Sequence, residues 1–308
     1  MEKVIAIVGA TATGKSQVAI DLALKLQGEI VSADSAQVYR GLDIGTAKVT
    51  AGEMRGVHHH LIDIVGPGTD YNAAMFCQDA KLAFKQIKAA DKYPILCGGS
   101  GLYINSLLYK GYDLGSTTGN PEKRAYYQGL EREKGAGYLY GLLQSKFPVR
   151  ASKIHPHDYQ RILRALEMQE DMPAENQKNL WHTNYDLRIF GLSRNRASLY
   201  QAIEKRVDLM FTQGLVGEVQ SALAAGYSPA GNAMAALGYK EILPLLRGEY
   251  TQEYACDLLK KNTRHFAKRQ ITWFKRDPNI KWLDVDDDTP QNIAQNIFMA
   301  LKQEKFVN

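Results

Sequence analysis

Residues Gly9-Ala10-Thr11-Ala12-Thr13-Gly14-Lys15-Ser16 fit the pattern G-x-x-x-x-G-K-[ST], and their surroundings make the match a constraint on the fold. Residues 3–8 just before it are largely apolar and β-branched and read as a buried strand. After it, Val18, Leu22 and Leu26 recur as one buried face of a helix would. A glycine-rich turn between a strand and a helix lets the backbone wrap an anion closely, with amide groups and the helix N-terminus aimed at phosphate oxygens. Lys15 adds a point charge, and the Ser16 hydroxyl is a ligand for Mg2+. The expected phosphate-binding residues are therefore Gly9, Thr11, Ala12, Thr13, Gly14, Lys15 and Ser16, with Ser16 also the metal ligand. The motif specifies a class of ligand and leaves the reaction open.

The first third of the chain continues the same alternation. Residues 29–32 read as a second strand ending at Asp34, residues 61–65 as a third stopped by Gly66-Pro67-Gly68, and residues 93–97 as a short buried strand entering Gly98-Gly99-Ser100-Gly101. Phe76, Ala80, Ala83, Phe84 and Ile87 mark an amphipathic helix between the last two. Strands alternating with helices predict a parallel sheet with crossover helices. Beyond about residue 112 the texture changes: a polar, turn-rich stretch at 115–121 is followed by charged, helical sequence without strands as far as Trp181. A strand-like run returns at residues 187–192. The expectation is an α/β fold of the P-loop NTPase type: a parallel sheet flanked by helices, formed by residues 1–112 and 187–308. An all-helical subdomain at 113–186 interrupts it, and a mostly helical C-terminal region completes it, with Leu199, Ile203, Val207 and Met210 at helical spacing.

At 308 residues and 45% apolar content the chain is long enough to bury a sizeable core. No apolar run approaches the roughly 18 residues of a membrane span, and Met1-Glu2-Lys3 leads directly into a strand-like run, so the expected compartment is the cytosol. The three cysteines, Cys77, Cys97 and Cys256, are widely scattered and read as structural, with neither a disulfide framework nor a zinc cluster. The run His58-His59-His60 invites a metal, yet adjacent residues on an extended segment point to alternate faces and cannot all converge on one ion, so a structural or supporting role is expected. A net charge of +5 is too small to indicate nucleic acid by itself. Its distribution says more: Lys260, Lys261, Arg264, Lys268, Arg269, Lys275 and Arg276 fall in one short stretch without an acid, and Lys261, Arg264, Lys268 and Lys275 share a helical face suited to phosphates.

The segment Val31-Ser32-Ala33-Asp34-Ser35-Ala36-Gln37-Val38-Tyr39-Arg40, continuing to Thr46 and Lys48, has no meaning in propensity beyond a strand ending in a polar turn. It closely resembles the signature that follows the phosphate loop in tRNA dimethylallyltransferases. The similarity continues in order through His58-His59-His60-Leu61-Ile62-Asp63, Gly98-Gly99-Ser100-Gly101-Leu102-Tyr103, and His155-Pro156-His157-Asp158 leading to Gln160-Arg161 and Arg164. It then runs through Leu199-Tyr200, Arg206-Val207, Leu237-Gly238-Tyr239-Lys240-Glu241, and Thr263-Arg264-His265-Phe266-Ala267-Lys268-Arg269-Gln270 with Trp273-Phe274. The pattern departs at Ala10, where the family has proline, and at Ser16 and Ser100, where it has threonine. It also departs at Asn195, His157 and Ala235, where it has Asp, Asn and Gln.

The resemblance implies that the phosphate loop holds the diphosphate of dimethylallyl diphosphate with Mg2+, rather than ATP. It implies that Asp34 meets the target amine as general base, Ser100 sits beside the prenyl diphosphate and the reactive base, and Arg206 neutralises the leaving diphosphate. Asp34, Ser35, Ala36 and Gln37 would contact the target adenosine of tRNA, at the anticodon stem-loop. Arg124, Gln160, Arg161, Arg164, Gly238, Tyr239, Lys240, Arg264, Lys268 and Arg269 would contact tRNA around it. From the residues alone, Asp34 is a general base, a carboxylate holding a magnesium-bound water, or a turn acid; its place at the carboxyl end of a strand favours an active-site position. The expected partners are tRNA and dimethylallyl diphosphate with no membrane, and the chain is read as a monomer. The rival activities are prenylation of free adenine nucleotides and small-molecule phosphoryl transfer; a non-catalytic, ATP-dependent RNA-binding module is the rival outside enzymes.

Overall fold

The structure is a computed structural model that describes residues 1–112, 120–168 and 180–307. Six parallel strands form one sheet: β1 (Glu2–Gly9), β2 (Glu29–Ala33), β3 (His59–His60), β4 (Pro94–Gly98), β5 (Tyr185–Ser193) and β6 (Ile280–Asp284), in the spatial order β3-β2-β4-β1-β5-β6. The helices before the insertion are α1 (Lys15–Leu26), α2 (Ala51–Met54), α3 (Ala73–Ala89) and α4 (Gly101–Leu108). Those within it are α5 (Pro121–Lys134), α6 (Tyr138–Lys146), α7 (Pro148–Ala151) and α8 (Tyr159–Met168). After it come α9 (Arg196–Thr212), α10 (Leu215–Ala224), α11 (Ile242–Leu246), α12 (Gln252–Phe274) and α13 (Pro290–Gln303).

Val4, Ile5, Ala6, Ile7 and Val8 are all fully buried, which is what a central parallel strand covered on both faces requires. Ile5, Ile7, Ile95 and Leu192 pack with the buried stripes of α1 and α13, while α3 packs on β2 and β4 and α12 on β1. Because the strands run the same way, β1, β2 and β4 deliver Gly9, Asp34 and Ser100 to one end of the sheet. Crevices at the carboxyl ends of parallel strands are where such folds bind ligands.

Two expectations about strands are corrected. The third strand is not 61–65 but the two-residue β3, because the backbone turns left-handed at Leu61 (φ 63°) and Asp63 (φ 56°). Arg40 holds that turn by donating to the carbonyls of Asp63 and Ile64 at 2.8 and 3.2 Å, so the apolar run serves a loop instead of a ladder. The C-terminal region also contains β6, paired with β5 from Ile189↔Ile280 to Ser193↔Asp284. Only Ile280 in that edge strand is buried, so it carries no hydrophobic period that a sequence pattern would reveal.

The chain divides into two compact units, Met1–Tyr112 with Trp181–Asn308, and Asp113–Leu180. The second has its own apolar core of Tyr127, Leu139, Leu143, Ile162, Leu163 and Leu166. The expected turn at 115–121 lies largely outside the described residues. In the first unit the chain ends that flank the insertion are adjacent: the Lys110 amide donates to the His182 carbonyl at 2.9 Å, and Tyr109 meets Trp181 edge-on with ring centroids 5.0 Å apart. Among the described residues no helix is long and apolar enough to cross a membrane.

Candidate active site

The phosphate loop needs glycine at two positions. At Gly9 (φ 144°) a Cβ would stand 2.6 Å from the Leu192 carbonyl oxygen, and Gly14 (φ 85°) precedes α1 in a left-handed conformation. The Thr13 hydroxyl donates to the Ala10 carbonyl at 2.9 Å, and Lys15 folds back so that its Nζ donates to the same carbonyl at 2.6 Å. Burial pushes the Lys15 ammonium down to about 8; Cys97 opposes this, Arg206 adds to it and Asp34 opposes it. Arg206, from α9, reaches across to the Thr11 hydroxyl at 3.1 Å and the Thr46 carbonyl at 3.4 Å. Burial lowers its pKa too, against the charge of Asp34. Two desolvated cations therefore converge on one loop, a setting in which an anionic ligand relieves the cost of burying both.

Asp34 follows β2 directly. Its Oδ1 accepts the amides of Ala36 and Gln37 at 2.9 and 3.4 Å, an Asx-type turn that orients the carboxylate. Among the described residues no group hydrogen-bonds its Oδ2. Ser100 is placed by its own amide on the Ala33 carbonyl, and its Oγ accepts the Ser35 amide at 3.0 Å, so the ends of β2 and β4 are tied across the site. Gln37 is fixed from both sides, its Oε1 accepting from Ser32 at 3.1 Å and its Nε2 donating to the carbonyls of Thr46 and Ala47 at 3.3 and 3.5 Å. Gln270 of α12 accepts the Thr11 amide at 2.8 Å and donates to the Gly99 carbonyl at 3.0 Å. The outcome is a cleft of about 940 Å3 with Thr11, Lys15, Arg206 and Arg269 in its wall together with Asp34 and Ser100. It places a proton acceptor beside an anion-binding loop.

Comparison with known proteins places the whole chain in a family. The family model described as IPP transferase matches residues 37–277. The tRNA dimethylallyltransferase of Carboxydothermus hydrogenoformans is 45% identical over 312 aligned residues, covering 99% of both chains. The chain belongs to the tRNA dimethylallyltransferase family. Among solved structures, the full-length tRNA isopentenylpyrophosphate transferase of Bacillus halodurans is 39% identical with a TM-score of 0.74, covering 99% of this chain and 98% of that one. A eukaryotic dimethylallyltransferase captured acting on tRNA is 27% identical with a TM-score of 0.81, covering 99% of this chain and 80% of its own.

Within this dimethylallyltransferase fold the residues expected to meet tRNA fall into distinct groups. Gln160 and Arg161 are exposed, with Arg161 on Asp158 at 3.3 Å. Arg124 and Arg164 both bind the buried Glu167, at 2.6 and 3.3 Å, so that each is held within the second unit by a charge the sequence did not pair with it. Tyr239 is corrected: its ring is fully buried and its hydroxyl donates to Glu218 at 2.7 Å, which makes it a prop under the cleft and not a surface contact. Gly238 (φ 102°) packs against Gly45, and Lys240 lines the cleft. On α12, the expectation of a stretch without acids holds only along the chain. Glu204 binds Arg264 at 2.8 Å and Asp208 binds Lys260 at 2.6 Å, both from α9, whereas Lys268, Arg269, Lys275 and Arg276 stay exposed.

Sequence reasoning missed the groups that hold the Asp34-to-Lys48 segment in place. The Glu218 carboxylate accepts the amides of Asp43, Ile44 and Gly45 at 2.8, 2.7 and 2.9 Å, in addition to the Tyr239 hydroxyl. The buried Lys48 ammonium donates to the Tyr39 carbonyl at 2.9 Å and to Asp43 and Asp63 at 2.5 and 2.6 Å. Glu241, also buried, accepts from the Gly238 amide and the Asn262 side chain, both at 2.9 Å. No local signal would have found Glu218: it is one acid in the first turn of α10, and its amide partners lie more than 170 residues away.

Proposed function

We propose that the chain transfers a dimethylallyl group from dimethylallyl diphosphate to the N6 amine of adenosine 37, next to the anticodon of tRNA, and releases diphosphate. The observation that carries this reading is the convergence of Asp34 with Lys15 and Arg206 on one cleft. An exocyclic adenine amine is a poor nucleophile because its lone pair is delocalised into the ring. As the N6–C1 bond forms and the C1–O bond to diphosphate breaks, Asp34 takes the proton from N6, and the departing electron pair stays on the diphosphate. Lys15, Arg206 and the loop amides stabilise that charge, so they act most strongly where charge develops. Ser100, fixed by Ser35 and Ala33, orients base and donor.

The residues present fit a Mg2+ ion. Ser16 is exposed in the first turn of α1, lines the cleft, and would offer the ion a hard oxygen donor beside the loop. When bound, the ion supplies further charge neutralisation on the diphosphate. A stacked loop base cannot reach a cleft of this kind without being flipped out, and Ala36 and Gln37, which line the cleft, would receive it. Gln160, Arg161, Lys240, Lys268 and Arg269 supply grips on the RNA, and the setting for this chemistry is the cytosol.

The deciding experiment incubates untagged protein with Mg2+, dimethylallyl diphosphate and unmodified tRNA, digests the RNA and weighs the nucleosides. A prenylated adenosine confirms the reading; modification of free adenine nucleotides instead, or consumption of a phosphoryl donor, refutes it. In the same assay Asp34→Asn should lower the single-turnover rate by about 10²-fold or more. A rate within a few-fold of wild type would reduce Asp34 to a positioning role.

A further inference from the structure

The histidine run has an arrangement that its spacing alone concealed. His59 turns toward the cleft side, its Nδ1 at 2.9 Å from the Val57 carbonyl oxygen. His58 and His60, two residues apart, share the other face. The parallel register that pairs Ile30 with His59 and Val31 with His60 sets Glu29 beside His58 on that same face. The His60 Nε2 lies 2.7 Å from Glu29 Oε2, and the rings of His58 and His60 meet edge-on with centroids 4.4 Å apart. One ligand atom from each of Glu29, His58 and His60 lies within 4.8 Å of the other two.

From this geometry we infer that Glu29, His58 and His60 form a binding site for a divalent transition-metal ion of the Zn2+ class, separate from the phosphate loop. Two imidazoles and one carboxylate, with positions left for water, are a donor set that suits Zn2+ or Co2+ and not the all-oxygen preference of Mg2+. Around a tetrahedral ion with bonds of about 2.1 Å the ligand atoms stand roughly 3.4 Å apart, so the 2.7 Å Glu29–His60 pair must open by about 0.7 Å and the His58 ligand atom must come in by up to about 1.4 Å. The residue freest to adjust is His58, which is exposed, while Glu29 and His60 are half-buried. Glu29 is already oriented, because Lys92 donates to its Oε1 at 2.7 Å and leaves Oε2 directed at His60.

The site lies at the amino ends of β2 and β3. Glu29 opens β2 and Asp34 follows its last residue, so about five residues of strand, roughly 16 Å, separate the ion from the proposed general base. It takes no part in the transfer chemistry. What the ion would join is β2 to β3, an edge strand of only two residues. Through the turn after it, the same segment carries Asp63, a partner of Lys48 in the wall of the cleft.

The test uses untagged, chelator-stripped full-length protein. Equilibrium dialysis should find one Zn2+ per chain at micromolar free ion, and Co2+ should give visible d–d bands of a low-symmetry, four- or five-coordinate site. His58→Ala, His60→Ala and Glu29→Gln should each weaken binding by about 10²-fold, since each removes one of three ligands. His58→Ala should fold normally and keep its prenyl-transfer rate with Mg2+, because its side chain is exposed and outside the cleft. The double variant His155→Ala/His157→Ala, which alters the other adjacent histidine pair, should bind Zn2+ as wild type does. Absence of stoichiometric Zn2+ binding by wild type, equal affinity in His58→Ala, or loss of binding only in the His155/His157 variant would each overturn the assignment.

Discussion

Binding of a prenyl diphosphate above pH 8 should draw a proton from solution, because burial holds the Lys15 ammonium near that value in the unliganded site. Phosphate oxygens beside Nζ restore the charged form, so below pH 8 the lysine is already protonated, and above it each binding event must take up a proton. The last ionisation of the diphosphate itself lies near about pH 6 and does not interfere. The association constant should therefore fall about tenfold between about pH 7 and about pH 9, equivalent to about 1.4 kcal/mol. Calorimetry at about pH 9 in two buffers of different protonation enthalpy should report uptake of nearly one proton, and Lys15→Met should bind more weakly with no such uptake. The same group fixes a sign for stability. Its folded pKa of about 8 lies below its ordinary 10.5, so between these values the unfolded chain holds more protons. Unliganded protein should thus gain stability from Lys15 as pH rises across that window, by at most about 3 kcal/mol, and Lys15→Met should abolish that contribution. Affinity independent of pH over this range in wild type, or the same proton uptake in Lys15→Met, would refute the argument.

Glu218→Ala leaves three loop amides and the Tyr239 hydroxyl without their acceptor, and should cost about 3 kcal/mol of stability while raising KM for tRNA; Glu218→Gln, which keeps an oxygen acceptor, should recover part of both. Unchanged thermal unfolding of Glu218→Ala would show that the loop is held elsewhere. Lys268→Ala with Arg269→Ala, the pair not engaged by acids of α9, should weaken every tRNA similarly and flatten the log–log salt dependence of binding by about one to two units. An unchanged slope would mean a merely solvated face, and a loss confined to one tRNA would mean base readout. Replacing residues 113–180 with a short Gly/Ser linker is feasible because Lys110 and His182 are hydrogen-bonded. The product should fold, bind dimethylallyl diphosphate and handle tRNA poorly; an unfolded product would make the insertion integral to the core.

The phosphate loop, the second and fourth strands and the helices α1, α3, α9 and α12 were legible because each is specified by residues contiguous in the chain. A strand that must be buried on both faces reads as an apolar run, and a left-handed turn beside it reads as glycine. The same logic fails for β6 and for residues 61–65. An exposed edge strand has no apolar period, and an apolar run whose own Leu61 and Asp63 turn left-handed gives no local warning that it will do so. Arg40, which holds that turn, comes from 23 residues earlier.

By itself, then, the sequence determined a parallel α/β sheet with an anion-binding loop at the end of its first strand, and its resemblance to a known family pointed to Asp34, Ser100 and Arg206 as residues to look for there. Tertiary structure alone decided which charges meet. It set Arg206 on Thr11, Glu218 under the amides of residues 43–45, Glu204 against Arg264, and His58 and His60 beside Glu29. It also withdrew Tyr239 from the surface. The physical reason is that backbone conformation answers to neighbours a few bonds away. The energy of a charge instead depends on whatever desolvates or pairs it, and in this fold those groups come from elements distant along the chain.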